Sequence, residues 1–105
     1  MSQVSVSHIL LMYEGSERST ATRSQEKALL QINALKEQLT DGEEFAVLAK
    51  EHSDCPSGQN GGDLGTFSRG AMVPEFDAMA FTLDVGADSD VVTTAFGYHL
   101  IRRTG

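Results

Sequence analysis

The chain is poor in cysteine, in proline and in positive charge, and it has no long apolar run. A single cysteine, Cys55, excludes an intramolecular disulfide and fits a reducing compartment. No apolar stretch approaches the roughly 20 residues that span a bilayer. The opening MSQVSVSHILLMYEG has neither a basic segment nor a small-residue cleavage site, so it does not read as a signal peptide. Eight Lys and Arg face fifteen Asp and Glu, a net charge of −7, which repels nucleic acid and anionic lipid. The expected partners therefore include no nucleic acid and no membrane, and the expected address is cytoplasmic. There is no internal repeat and no low-complexity tract.

The 105 residues suit one domain with one core, residues 1–105. In Val4–Met12, the residues Val4, Val6, His8, Leu10 and Met12 share one face at period two, which predicts a strand interior to a sheet. The loop YEGSERSTATRS follows. Thr22 and Gln25 fit a capping box, and Ala28, Leu29, Ile32, Leu35 (or Ala34) and Leu39 recur at helical spacing until Gly42. EEFAVLAKEHS predicts a second helix burying Phe45, Leu48 and Ala49. GDLGTF predicts a short strand. Pro74 suits the first position of a third helix carrying Phe76, Met79, Ala80 and Leu83. DVVTTAFGYHLIRR predicts two strands joined at Phe96–Gly97. The order β-α-α-β-α-β-β indicates an α+β domain with helices packed on an antiparallel sheet.

The chemistry-bearing stretch is Ser53–Gly65, SDCPSGQNGGDLG, which holds Cys55 and four of the ten glycines. A Cys/His hydrolase needs a base within hydrogen-bond reach of the sulfur and an oxyanion hole. Cys55 follows a helix instead of opening one, where its pKa would fall. Nothing has the C-x-x-C or H-x-x-x-H spacing of a zinc site, and His8, Cys55 and His99 on separate elements make a weak donor set, so no metal is expected. Spacing alone leaves Cys55 open between a chemical role and a plain loop position. GQNGGDLG lacks the Lys-Ser/Thr of a phosphate loop and the spacing of a dinucleotide fingerprint. Gly58, Gly61 and Gly62 accordingly read as turn and close-approach positions.

Three separated segments, SHILL, FAVLAKEHSDCPSGQNGGDLGTFSRGAMVPEFDAMAF and TTAFGYHLI, resemble parvulin-type peptidyl-prolyl isomerase domains from about Val4 to Arg103. The resemblance implies a four-stranded antiparallel sheet surrounded by about four helices, with the first and last strands paired centrally. It implies that the domain needs no cofactor and rotates X–Pro bonds in proline-containing segments of client proteins, as a monomer. His8, Cys55, Thr94 and His99 would form a hydrogen-bonded catalytic cluster, with Leu64, Met72, Phe76 and Phe96 lining an apolar proline pocket. For the two histidines, a purely stabilising pair in the sheet interior is the competing reading. His52, at a helix end, reads as structural or solvated. Phosphate-directed members carry a basic cluster after the first strand. Here Met12 and Glu17 stand at positions expected to be basic, leaving Arg18 and, farther on, Arg23 as anion contacts, so strict phosphate specificity is not expected. The alternatives are a proline-segment binding or chaperone module of the same fold without turnover, and, more weakly, a Cys-dependent hydrolase.

Overall fold

The computed structural model describes residues 3–105. The elements follow the expected order: β1 (Gln3–Leu11), α1 (Gln25–Thr40), α2 (Phe45–His52), a 3-10 turn (Pro56–Asn60), β2 (Asp63–Ser68), α3 (Pro74–Thr82), β3 (Val92–Thr94) and β4 (Gly97–Arg103). The described residues form three α-helices, with the 3-10 turn in place of a fourth. All pairings are antiparallel and the sheet runs β2-β1-β4-β3, so the two termini of the chain supply its central strands.

The strand register decides which side chains meet. His8 lies opposite Ile101, Leu10 opposite His99, and Val92 opposite His99 on the other side. Directly opposed residues share a face, and so do residues two apart along a strand. Val4, Val6, His8, Leu10, Val92, Thr94, His99 and Ile101 therefore all project from one side of the sheet. The other side carries Ile9, Leu11, Tyr98 and Leu100.

Each face has its own helices. Ile9, Leu11 and Leu100 pack with Ile32, Leu35 and Leu39 of α1 and with Phe45 and Leu48 of α2. Val4, Val6 and Ile101 pack with Phe67, Phe76 and Ala80, the last two from α3. Ile9, Leu11, Ile32, Leu100, Ile101 and Val6 are fully buried. The aliphatic stripe of α1 thus covers one face with close-packed carbon. The other face has only the short α3, and the two histidines lie there.

The start of α1 departs from the expected capping box. Ser24, not Thr22, is the N-cap, and its hydroxyl accepts Lys27 N–H at 3.1 Å. Both residues have a cap-forming hydroxyl, and the helix starts after the later one. Leu29, assigned to the buried stripe, is 39% exposed. Pro74 does open α3, with Glu75 and Asp77 in the first turn, where carboxylates favour the positive end of the helix dipole. At the β3–β4 turn, a Cβ on Gly97 would stand 2.3 Å from the Leu11 carbonyl oxygen, so only glycine lets the central strands close there.

Candidate functional site

His8 and His99 are diagonal neighbours across the β1–β4 pair, and their Nδ1 atoms are 3.2 Å apart. His99 Nε2 lies 2.7 Å from Thr94 Oγ1, which accepts Phe96 N–H at 3.2 Å. The three side chains form one buried chain running from the β3–β4 turn to the middle of β1. The imidazoles lie 25° from parallel, and Phe76 meets each of them edge-on at 5.5 Å between ring centroids.

Burial sets the charge of this chain. Desolvation pushes His8 down to about 4. Desolvation, and then the facing His8, push His99 down to about 3. Both rings are neutral at pH 7, because neither has a carboxylate to offset the loss of water. One Nδ1 must then donate to the other. If Thr94 donates its hydroxyl proton to His99 Nε2, His99 Nδ1–H donates to His8 Nδ1 and only His8 Nε2–H is left over. The reverse order would strand the Thr94 proton as well, so the first order leaves fewer buried groups unpaired. His8 Nε2 is the single buried side-chain nitrogen or oxygen without a partner among the described residues.

Beside this chain lies a cavity of about 180 Å³ lined by both histidines and by Leu64, Met72, Phe76 and Phe96. Leu10 and Val73 complete the wall, and sequence reasoning missed both. The signals were present: Leu10 is two residues from His8 on the same strand face, and Val73 sits between Met72 and Pro74. An apolar space of about 150 Å³ accepts benzene, so this one has room for a five-membered ring.

Cys55 lies on the segment that follows α2, just before the 3-10 turn. It is the one free cysteine, half-buried, and its sulfur accepts the Ser57 hydroxyl at 3.1 Å. None of its hydrogen bonds reaches His8, Thr94 or His99, so the hydrogen-bonded chain itself holds three of the four residues expected. Its segment is nevertheless tied to the end of β1. Ser53 Oγ accepts Leu10 N–H at 3.1 Å, Asp54 N–H donates to the Leu10 carbonyl at 2.7 Å, and Asp54 Oδ2 accepts Met12 N–H at 2.8 Å.

A second, larger groove of about 760 Å³ runs past this segment, lined by Met12, Arg18, Thr20, Thr22, Arg23 and Asp54 among others. Of its two arginines, Arg23 is occupied. Its guanidinium pairs with the Asp54 carboxylate and donates to the Met12 carbonyl at 2.8 Å. Arg18 makes no ion pair among the described residues, and its backbone is left-handed at φ +59°. The loop holding it is pinned by Glu14 N–H to the Arg23 carbonyl and by Glu17 N–H to the Ala95 carbonyl. His52 Nε2 lies 3.7 Å from the carboxylate of its neighbour Glu51. No group of three or more His, Cys, Asp or Glu is placed to hold a metal among the described residues. No described helix is long and apolar enough to cross a membrane.

Comparison with known proteins gives one answer from three directions. Residues 8–105 match the rotamase family model, described as the PPIC-type PPIASE domain. The peptidyl-prolyl cis-trans isomerase Pin1 of Digitalis lanata is 39% identical over 114 residues, covering 98% of this chain and 97% of that protein. The isomerase ESS1 of Saccharomyces cerevisiae is 41% identical over 107 residues, covering 93% of this chain and 63% of its own. Among solved structures, the peptidyl-prolyl isomerase ESS1 from Candida albicans superposes with a TM-score of 0.91 at 35% identity, over 98% of this chain and 63% of that one. The parvulin NmPin of Nitrosopumilus maritimus superposes with a TM-score of 0.73 at 39% identity, over 100% and 98%.

Proposed function

The chain belongs to the PPIC-type (parvulin) family of peptidyl-prolyl cis–trans isomerases, and on that premise we propose how it catalyses rotation about X–Pro bonds. The prolyl ring enters the 180 Å³ cavity between Leu64, Met72, Phe76 and Phe96. The imide then lies against the neutral His8–His99–Thr94 chain. The single observation that carries this reading is that the cavity is lined by His8, whose Nε2 is the one buried polar side-chain atom left unpaired among the described residues.

Rotation needs no bond broken. The barrier of about 18–20 kcal/mol is the loss of amide resonance, which is strongest when the carbonyl oxygen carries charge in a polar solvent. An apolar cavity withdraws water from the planar, charge-separated imide. Catalysis requires that the twisted geometry be held better than either planar one. Twisting frees the lone pair of the imide nitrogen, and His8 Nε2–H is the neutral donor for it, fixed in direction by two further hydrogen bonds and costing little reorganisation. Neutrality matters, since an imidazolium would favour the planar form with its charged oxygen. Cys55 has no covalent step to perform in this scheme; it belongs to the wall segment where the chain before the proline would pass.

That preceding residue would face the larger groove. Arg23 is neutralised there by Asp54, Met12 is uncharged and Glu17 is acidic, so Arg18 is left as the only contact for an anion. We infer tolerance of apolar and small residues before proline, without a phosphate requirement. The reading also includes a monomer acting in a reducing, cytoplasm-like compartment, supported by the lone thiol. Exchange spectroscopy on Ala–Pro, Leu–Pro and phosphoserine–Pro peptides tests it. Faster cis–trans exchange for the apolar peptides is expected. Acceleration confined to the phosphorylated peptide would overturn the specificity. Shifted peptide signals without faster exchange would turn the protein into a proline-binding module.

A further inference from the structure

The segment Gly61–Gly65 reads as turn and strand, and apart from Leu64 it has no task in the proline cavity so far, yet its backbone shapes two walls of that cavity. Gly62 lies at φ +84° against the backbone of His8. Its carbonyl accepts His8 N–H at 2.9 Å, and a Cβ on Gly62 would stand 2.3 Å from the His8 carbonyl oxygen. Two residues on, the β1–β2 register passes from Val6↔Gly65 to Ser7↔Asp63, which leaves Leu64 without a partner in the ladder. Such an extra residue is a β-bulge, a device that re-aims a side chain. Here the re-aimed side chain is Leu64, which lines the cavity. The bulge is locked by Gly65, at φ +75°, whose N–H donates to Asp63 Oδ1 at 2.8 Å. A Cβ on Gly65 would meet nothing within 4 Å, so glycine is required there by its dihedral angle and not by space.

We propose that Gly62, Asp63 and Gly65 are positioning residues for isomerisation: they form a bulge that sets His8 and Leu64, two walls of the proline cavity, at a fixed distance. The proposal rests on the cavity being the proline site. Gly62 holds the His8 backbone and so the height of its ring. Asp63 holds the bend at Gly65 and so the direction of Leu64. Misplacing a contact group by about 1 Å is enough to cost up to about a hundredfold in rate, so a device that removes this freedom acts on catalysis without touching substrate.

Asp63 is exposed, so Asp63→Ala removes the acceptor for Gly65 without opening the core. The experiment compares wild type with Asp63→Ala, Asp63→Asn, Gly62→Ala and Leu64→Ala. It measures kcat and KM on an Ala–Pro peptide by exchange spectroscopy, with Tm and the imidazole ¹⁵N spectrum recorded alongside. Leu64→Ala is expected to raise KM about tenfold, and Asp63→Ala about threefold or more, at temperatures where both are folded. Asp63→Asn keeps an oxygen that accepts the same N–H and recovers most of that loss. Gly62→Ala lowers kcat about tenfold and shifts the His8 ring signals. If Gly62→Ala does not fold, the Asp63 pair decides. Asp63→Ala that lowers Tm but leaves kcat and KM unchanged overturns the proposal, as does Asp63→Asn impaired as badly as Asp63→Ala. Leu64→Ala without effect on KM sinks the cavity reading itself, and the proposal with it. An effect of Leu64→Ala without one of Asp63→Ala sinks the proposal alone.

Discussion

Acidification between pH 7 and pH 5 should destabilise this protein before most carboxylates titrate. Both buried histidines have folded-state values depressed below the ordinary 6.5, to about 4 for His8 and about 3 for His99. A depressed histidine binds its proton more readily in the unfolded chain, so stability is full above about pH 6.5 and falls as pH drops toward the folded values. At pH 5 the unfolded imidazoles are almost wholly protonated while the folded ones remain almost wholly neutral. Each ring then costs about 2 kcal/mol relative to pH 7, and the two together about 4 kcal/mol. Against a total stability of about 5–15 kcal/mol that is a large fraction, equivalent to a fall in Tm of more than about 10 °C. Urea unfolding at half-unit pH steps measures it, and long-range ¹H–¹⁵N spectra at pH 5.5 report the ring states. A midpoint flat from pH 7 to 5, or imidazolium signals from either ring at pH 5.5, would refute the claim that burial governs the pair.

Three further predictions concern single side chains. Thr94→Val removes a hydroxyl bonded to both His99 and the Phe96 amide and should cost about 1–3 kcal/mol in chemical denaturation, with kcat lowered about tenfold, while Thr94→Ser keeps most of both. Met72→Ala should raise KM about tenfold on Ala–Pro peptides with a small change in Tm, because Met72 packs against the core only in part. Cys55→Ser should keep activity to within about tenfold of wild type in the exchange assay; a loss of several orders of magnitude would bring back a covalent role.

What could be read from the sequence tracks how local the physics is. Period-two alternation placed His8 on the same strand face as Val4 and Val6, and the helical stripe of α1 was correct at Ala28, Ile32, Leu35 and Leu39. Those patterns are written by a single core surface. The cap of α1 falls two residues later than the capping box predicts, because Thr22 and Ser24 both offer a hydroxyl and the local sequence does not choose between them. The meeting of His8 with His99 depends on pairing the two ends of the chain, which no local pattern encodes; the family resemblance supplied it. The same resemblance placed Cys55 in the hydrogen-bonded cluster, whereas its sulfur accepts from Ser57. The bulge at Leu64 escaped because GGDLG shows only that glycines are needed, not which ladder residue they leave unpaired.

The central claim is that the small apolar cavity beside His8, and not the larger groove beside Arg18, seats the proline. Intermolecular NOEs between the prolyl ring protons of an Ala–Pro peptide and the protein test it directly. The account predicts contacts to Leu64, Met72, Phe76 and Phe96. Contacts from the ring to Met12, Thr20 and Pro56, with none to Phe76, would contradict it.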